Sequence, residues 1–242
     1  MLRSKLLNIK TSIRTFKEFL YKTPPNSKFL IELDKVLRRV KPKALNNNEN
    51  EVTRFKSELE NSLKANGAYT NKFITSVFGF SLPGRATILL SKSNKTKSGV
   101  VGELATMLID DPPMVCININ AVSKIKSPPL INLVHELLHA IIYKKKLIDY
   151  NIPGSGMLEE VLIRYTTEGM LERRLGLSKH ASINGCYNNI ISNLSGSKTM
   201  ALRMRNLMKS YDEKSGNRTV WSAIEETSLR RMFGMRPPGT KG

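Results

Sequence analysis

The sequence is short of the residues that usually announce a compartment or a fold. Two cysteines in 242 residues, Cys116 and Cys186, make no disulfide framework, and Cys116 stands in an apolar run that reads as core. That usage suits an intracellular, reducing compartment. No apolar run approaches 18 residues, so no membrane span is expected. There is no internal repeat, which excludes a repeat array, and no recognised nucleic-acid motif. Histidine is scarce, at three positions: His135, His139 and His180. Acid is also in deficit, with 20 Asp+Glu against 39 Lys+Arg and a formal net charge of +19.

The basic excess is uneven. Residues 1–46 hold 12 basic and 3 acidic side chains, residues 99–168 hold 6 and 8, and residues 202–242 hold 9 and 4. The charge therefore lies towards the ends, a footprint that suits polyanions, nucleic acid being the commonest. Arg3, Lys5, Lys10, Arg14, Lys17, Arg38 and Arg39 are the side chains expected to meet phosphates. A solubilising surface or a lysine-rich compositional bias would give the same counts. Met1 to Lys22 has an amphipathic helical pattern, with Leu2, Leu6, Ile9, Ile13, Phe16 and Leu20 on one face and no acid before Glu18. Organelle presequences, partner-binding arms and nucleic-acid arms all look like this. Pro24-Pro25 ends it, Lys28–Val40 reads as a second helix, and Glu51–Ala65 as a third with Phe55, Leu59 and Leu63 inward. Past Gly67 the pattern changes: Ala86–Leu90, Met114–Ile119 and part of Gly99–Leu108 are strand-like. After Arg174 helix returns, interrupted around Gly176, Gly185 and Gly196.

Against these absences stands one motif, Leu133-Val134-His135-Glu136-Leu137-Leu138-His139-Ala140, inside an apolar run from Leu130 to Tyr143. Residues four apart lie on one helix face, so His135 and His139 project together. Two imidazoles held that way can take two positions around a tetrahedral Zn²⁺. Glu136 falls beside them, where a carboxylate can take a proton from a metal-activated water. Average residue usage would produce H-E-x-x-H by accident on the order of once in a hundred chains of this length. Two of the three histidines are here, in a helix apolar nearly all round and therefore central. Buried polar groups need a partner, and a metal is one. Ser127 is placed to cap this helix, Pro128 and Pro129 suit its first turn, and Lys144-Lys145-Lys146 suit its C-terminal dipole.

A catalytic zinc takes a third protein ligand and keeps one position open. Asp149, Glu159, Glu160 and His180 follow the motif. Asp149 falls in a polar loop close to the helix end, and His180 reads as a surface or capping histidine. The segment Met157–Tyr165 follows a Pro153-Gly154-Ser155-Gly156 breaker and has helical periodicity, with Leu158, Val161, Leu162 and Tyr165 on one stripe. Running antiparallel to the motif helix, it can return a glutamate to the histidines.

The motif and this segment together resemble the zincin metallopeptidases, and within them the gluzincin branch, over about residues 115–174. The resemblance implies a His₂Glu zinc site with its third ligand on a second helix. It implies His135 and His139 as ligands, Glu136 as general base and peptide-bond hydrolysis as the reaction. Spacing similar to thermolysin-type members selects Glu159. The pattern Leu158-Glu159-Glu160 with Tyr165 is similar to the L-N-E-G-x-x-x-Y of aminopeptidase-type members and selects Glu160, with Val161 where those have glycine. Glu160 is the preferred ligand, leaving Glu159 as a supporting group that pairs, for instance, with Arg164. Tyr165, Tyr187 and His180 are in range as oxyanion donors and nothing selects one, although Tyr165 reads as core. The resemblance further implies a sheet before the motif helix, whose edge strand can pair with an extended substrate.

The expected fold is therefore α+β and zincin-like, mostly helical with a small mixed sheet before the motif helix. The expected organisation is a basic helical region at 1–66, a metallopeptidase domain at 67–214 and a basic segment at 215–242 ending in a disordered tail from Arg236. The expected function is that of a zinc metallopeptidase acting on peptide or protein. The alternative is a basic structural or nucleic-acid-associated protein of a virion or ribosome-like assembly that keeps the fold.

Overall fold

The computed structural model describes residues 8–9, 49–91, 105–108, 113–118, 128–152, 154–178, 198–214, 216, 218–227 and 229–230. Most of them are helical. In chain order the elements are β1 (Asn8–Ile9), α1 (Glu49–Phe78), β2 (Arg85–Ser91), β3 (Ala105–Leu108), β4 (Met114–Asn118), α2 (Pro129–Lys144) and α3 (Ser155–Arg164). A π-helical segment (Tyr165–Leu171) runs straight on from α3 and closes in one α-turn (Glu172–Arg174). Then come α4 (Lys198–Lys214) and α5 (Val220–Glu225). The strands lie in the order β1-β2-β4-β3. β2 pairs parallel with both β1 and β4, and β3 pairs antiparallel with β4. Ala86, Ile88, Val115 and Ile117 alternate along β2 and β4 and are buried, as expected of strands with one face on the core.

The helix carrying the H-E-x-x-H motif, α2, is at the centre of the molecule. Leu130, Ile131, Leu133, Val134, Leu137, Leu138, Ala140 and Ile142 are all buried, leaving only a narrow strip for the histidines. Each such leucine or isoleucine contributes about 1.5–3 kcal/mol of burial. α2 packs against β3, β4, α1 and α3. Its N-cap residue is Pro128, whose carbonyl accepts from the backbone N–H of Ile131 at 3.0 Å and from Asn132 Nδ2 at 3.0 Å. Ser127, the cap expected from the sequence, lies outside the described residues. A proline N-cap supplies no side-chain acceptor, and Asn132 reaching back to the Pro128 carbonyl ties this end of the helix instead.

The C-terminal end of α2 closes with a Schellman motif. Lys146 N–H bonds to Tyr143 O at 3.0 Å and Leu147 N–H to Ile142 O at 3.1 Å. The motif needs a left-handed residue, and Lys146 takes that conformation at φ 51° where glycine is usual. The reversal sends Leu147 and Ile148 into the core. α3 begins after Gly154, itself left-handed at φ 90°, and Leu158, Val161, Leu162 and Tyr165 are buried along the expected stripe.

Two elements differ from the sequence expectation. α1 does not stop at Ala65 but continues through Gly67 to Phe78. Gly67 is tolerated inside it because Phe73, Ile74, Val77 and Phe78 go on burying the same helix. Its end is fixed by Gly79 at φ 75° and by Trp221 of α5, whose indole N–H donates to Phe78 O at 3.0 Å. Secondly, Asn8–Ile9, within the stretch read as an amphipathic helix, are a strand on β2. An open edge offers unpaired backbone groups that compete with helix formation. The rest of 1–22, Lys28–Val40, Cys186, Gly185, Gly196 and the 236–242 tail lie outside the described residues. Among those described, no helix is long and apolar enough to cross a membrane.

Candidate metal centre

α2 and α3 pack together and bring one narrow strip of each face to face. On α2 the four-residue spacing sets the two imidazoles in contact, with His135 Nε2 and His139 Nε2 3.2 Å apart. From α3, Glu160 Oε2 reaches both, 3.1 Å from His139 Nε2 and 3.5 Å from His135 Nε2. Two imidazole nitrogens and a carboxylate oxygen therefore converge on one point, a group that can hold a metal ion. Bonds of ~2.0–2.1 Å to a tetrahedral metal place ligand atoms roughly 3.3–3.4 Å apart, so the three separations fit such an ion.

Around this group lies a ring of charge. Glu160 Oε1, turned away from the histidines, accepts from Arg164 Nε one turn further along α3. Burial alone would raise the Glu160 carboxyl, but hydrogen bonds from His135 and His139, together with the Arg164 charge, hold it well below the usual carboxylate range. Burial alone would lower His139. Its contacts with Glu159 and Glu160, and the nearby charge of Glu136, outweigh that and raise it to about 10. Protonated, the His139 imidazole donates from both ring nitrogens, so an ion on Nε2 would have to replace a proton. Glu136 is half-buried beside it, close enough for its charge to act on both His139 and Arg164.

Each histidine also has a carboxylate behind its other ring nitrogen. Glu159 Oε1 lies 3.0 Å from His139 Nδ1, a close charge contact without hydrogen-bond geometry, and no hydrogen-bond partner among the described residues reaches this oxygen. Glu168 Oε1 lies 3.9 Å from His135 Nδ1. A carboxylate as close as Glu159 can orient a ligating imidazole and raise its basicity, whereas Glu168 lies beyond hydrogen-bond reach of His135. Glu159 in turn accepts from Tyr150 Oη at 2.7 Å. Burial and the Glu159 charge hold the Tyr150 hydroxyl well above the ordinary phenol range, so it stays a donor.

His135, His139 and Glu160 are thus brought together, with Glu136 alongside. Glu159 supports His139, and the expected pairing of Glu159 with Arg164 is corrected: Arg164 pairs with Glu160, its neighbour one helical turn away. Asp149 is not in the group, because its Oδ1 accepts from Asn151 N and Nδ2 at 3.0 Å within its own loop. Tyr165 is fully buried on the apolar stripe. His180 and Tyr187 lie outside the described residues. Glu168 and Tyr150 are the members that sequence reasoning missed. Eight residues after Glu160 is about 2.2 α-helical turns, some 80° past the ligand face, so α-helical counting turns Glu168 away. The π-helical segment rotates less per residue and brings it back. In that segment Thr166 Oγ1 and Thr167 Oγ1 donate to Leu162 O and Ile163 O, sharing carbonyls that an α-helix reserves for backbone N–H groups.

Comparison with known protein families, with characterised proteins and with solved structures returns no match. Whatever the centre does rests on its own geometry.

Proposed function

We propose that this chain is a zinc-dependent metallopeptidase of the zincin type. The observation that carries the reading is the convergence of His135 Nε2, His139 Nε2 and Glu160 Oε2, with a glutamate next to the first histidine in sequence. Two neutral imidazoles and one carboxylate suit Zn²⁺ and leave a fourth position open for water or substrate. A bound zinc would supply Lewis acidity and lower the pKa of water at that position. The chain's own residues do the rest. Glu136 takes the proton from the attacking water and delivers it to the leaving amine. Arg164 holds one oxygen of Glu160 and leaves the other facing the histidines, where an ion would sit, and Glu159 orients the His139 imidazole. β3 packs against α2 and has a single strand neighbour among the described residues, so it is suited to take an extended peptide as an added strand. These parts support the zincin-like architecture as a reading of the fold.

The test is a pair of variants assayed on a denatured, unlabelled protein substrate such as casein. Glu136→Gln keeps the metal and loses hydrolysis, because the base is not a ligand. His135→Ala loses both. A second reading follows from the net charge of +19: the same molecule contacts a polyanion through basic residues away from the centre.

A further inference from the structure

We propose that Tyr150 is the outer member of a relay, Tyr150–Glu159–His139, through which the protein surface sets the strength of the metal centre. The inference rests on the metal-site reading above. The three side chains follow one another, Tyr150 to Glu159 by a hydrogen bond and Glu159 to His139 by a close charge contact. Tyr150 Oη donates to one oxygen of Glu159 at 2.7 Å, the other oxygen lies 3.0 Å from His139 Nδ1, and His139 Nε2 faces Glu160 at 3.1 Å. The Glu159 side chain is 5% exposed, whereas Tyr150 is 40% exposed. The relay therefore starts in solvent and ends on a ligand atom.

The tyrosine is held in place by its loop. The Schellman reversal at Lys146 turns the chain back, and buried Leu147 and Ile148 anchor it. Asp149 Oδ1 then accepts from Asn151 N–H, and Asp149 O from Ile152 N–H at 3.2 Å, closing a tight turn around Tyr150. The Tyr143 ring, on the last turn of α2, packs against the Tyr150 ring with centroids 5.3 Å apart.

The chemistry follows from what each group needs. Glu159 is buried and its Oε1 has no hydrogen-bond partner among the described residues, so the hydrogen bond from Tyr150 to Oε2 is what anchors the carboxylate. Tyr150 saturates one oxygen and so fixes the rotamer that offers the other to His139. A carboxylate behind Nδ1 makes Nε2 a better donor to a metal. Without the hydroxyl, Glu159 gains by turning towards water, and His139 loses its support. Tyr150 is in this sense a positioning residue. It touches neither metal nor substrate.

The experiment is a double-mutant cycle read as Zn²⁺ affinity by competition with a chelator, on the full chain. The proteins are the wild type, Tyr150→Phe, Glu159→Gln and the double variant. Tyr150→Phe keeps the ring and its Tyr143 contact, and should weaken zinc about tenfold, the low end of losses for groups behind a ligand. Glu159→Gln should weaken it more. The double variant should match Glu159→Gln alone, because the phenol acts only through that carboxylate. Cobalt(II) absorption should shift in Tyr150→Phe and not shift further in the double variant. Unchanged affinity in Tyr150→Phe, or additive losses in the double variant, overturns the relay while leaving the metal centre standing. A wild type that binds no zinc overturns both.

Discussion

At the scale of the residue, one imidazole carries most of the centre's electrostatics. His139 is bracketed by two carboxylates, Glu160 on Nε2 and Glu159 on Nδ1, and both were legible as neighbours in the sequence. What the sequence left open was which one is the ligand. Both glutamates reach the same ring, from opposite nitrogens, so counting residues from His139 serves either. The packing of α3 on α2 puts Glu160 in the group that could hold an ion, and of the two glutamates Glu160 also reaches His135. Glu160→Ala should therefore abolish stoichiometric metal, while Glu159→Ala weakens affinity by about 10–100-fold. Isothermal titration of the two variants checks the order, and equal losses would contradict it. The same contacts set a pH dependence. His139 is raised from 6.5 to about 10 in the metal-free protein. Its contribution to metal-free stability is thus complete below pH 6.5 and is lost as pH rises through 10. A metal must displace that proton, so apparent zinc affinity should rise by about tenfold per pH unit across the neutral range. Competition titrations at several pH values measure the slope, and a flat profile would contradict the assignment of His139 as ligand.

At the scale of the element, periodicity found what depends on local pattern. The burial of α2, the apolar stripe of α3 and the cores of β2 and β4 follow from spacings that tertiary packing only reinforces. The length of α1 did not, because Gly67 is a breaker by propensity and is overruled by packing on both sides of it. Nor did the π-helical segment, whose widened turn has no signature in hydrophobic spacing, and Glu168 was missed with it. The two Schellman ends give a direct test of backbone physics. Gly176 closes the helix after Arg174 at φ 68°, with Gly176 N–H to Arg173 O at 3.0 Å and Leu177 N–H to Glu172 O at 2.9 Å. Lys146 does the same work with a side chain in the way. Gly176→Ala should cost about 1 kcal/mol although its Cβ would meet nothing within 4 Å, and Lys146→Gly should stabilise by about 0.5–1 kcal/mol. Urea unfolding of both variants tests the opposite signs. A larger change at this helix is Leu137→Ala, which should cost about 2–5 kcal/mol because the residue is fully buried.

At the scale of the whole molecule, the basic excess and the H-E-x-x-H motif occupy different parts of the chain. The motif region is slightly acidic, whereas residues 1–46 and 202–242 carry the basic excess. If those residues meet a polyanion, binding should fall steeply as salt rises and depend little on base sequence. Neutralising Arg3, Lys5, Lys10 and Arg14 together should flatten the salt slope without changing metal content. Oligonucleotide titrations at several salt concentrations test this, and no binding at low salt would remove the polyanion reading. His135, His139 and Glu160 are proposed as a metal centre served by Glu136. Elemental analysis of the purified, zinc-loaded chain tests it most directly. Stoichiometric zinc is expected in the wild type and in Glu136→Gln, and none in His139→Ala. Zinc that is absent from the wild type, or retained in full by His139→Ala, would contradict it.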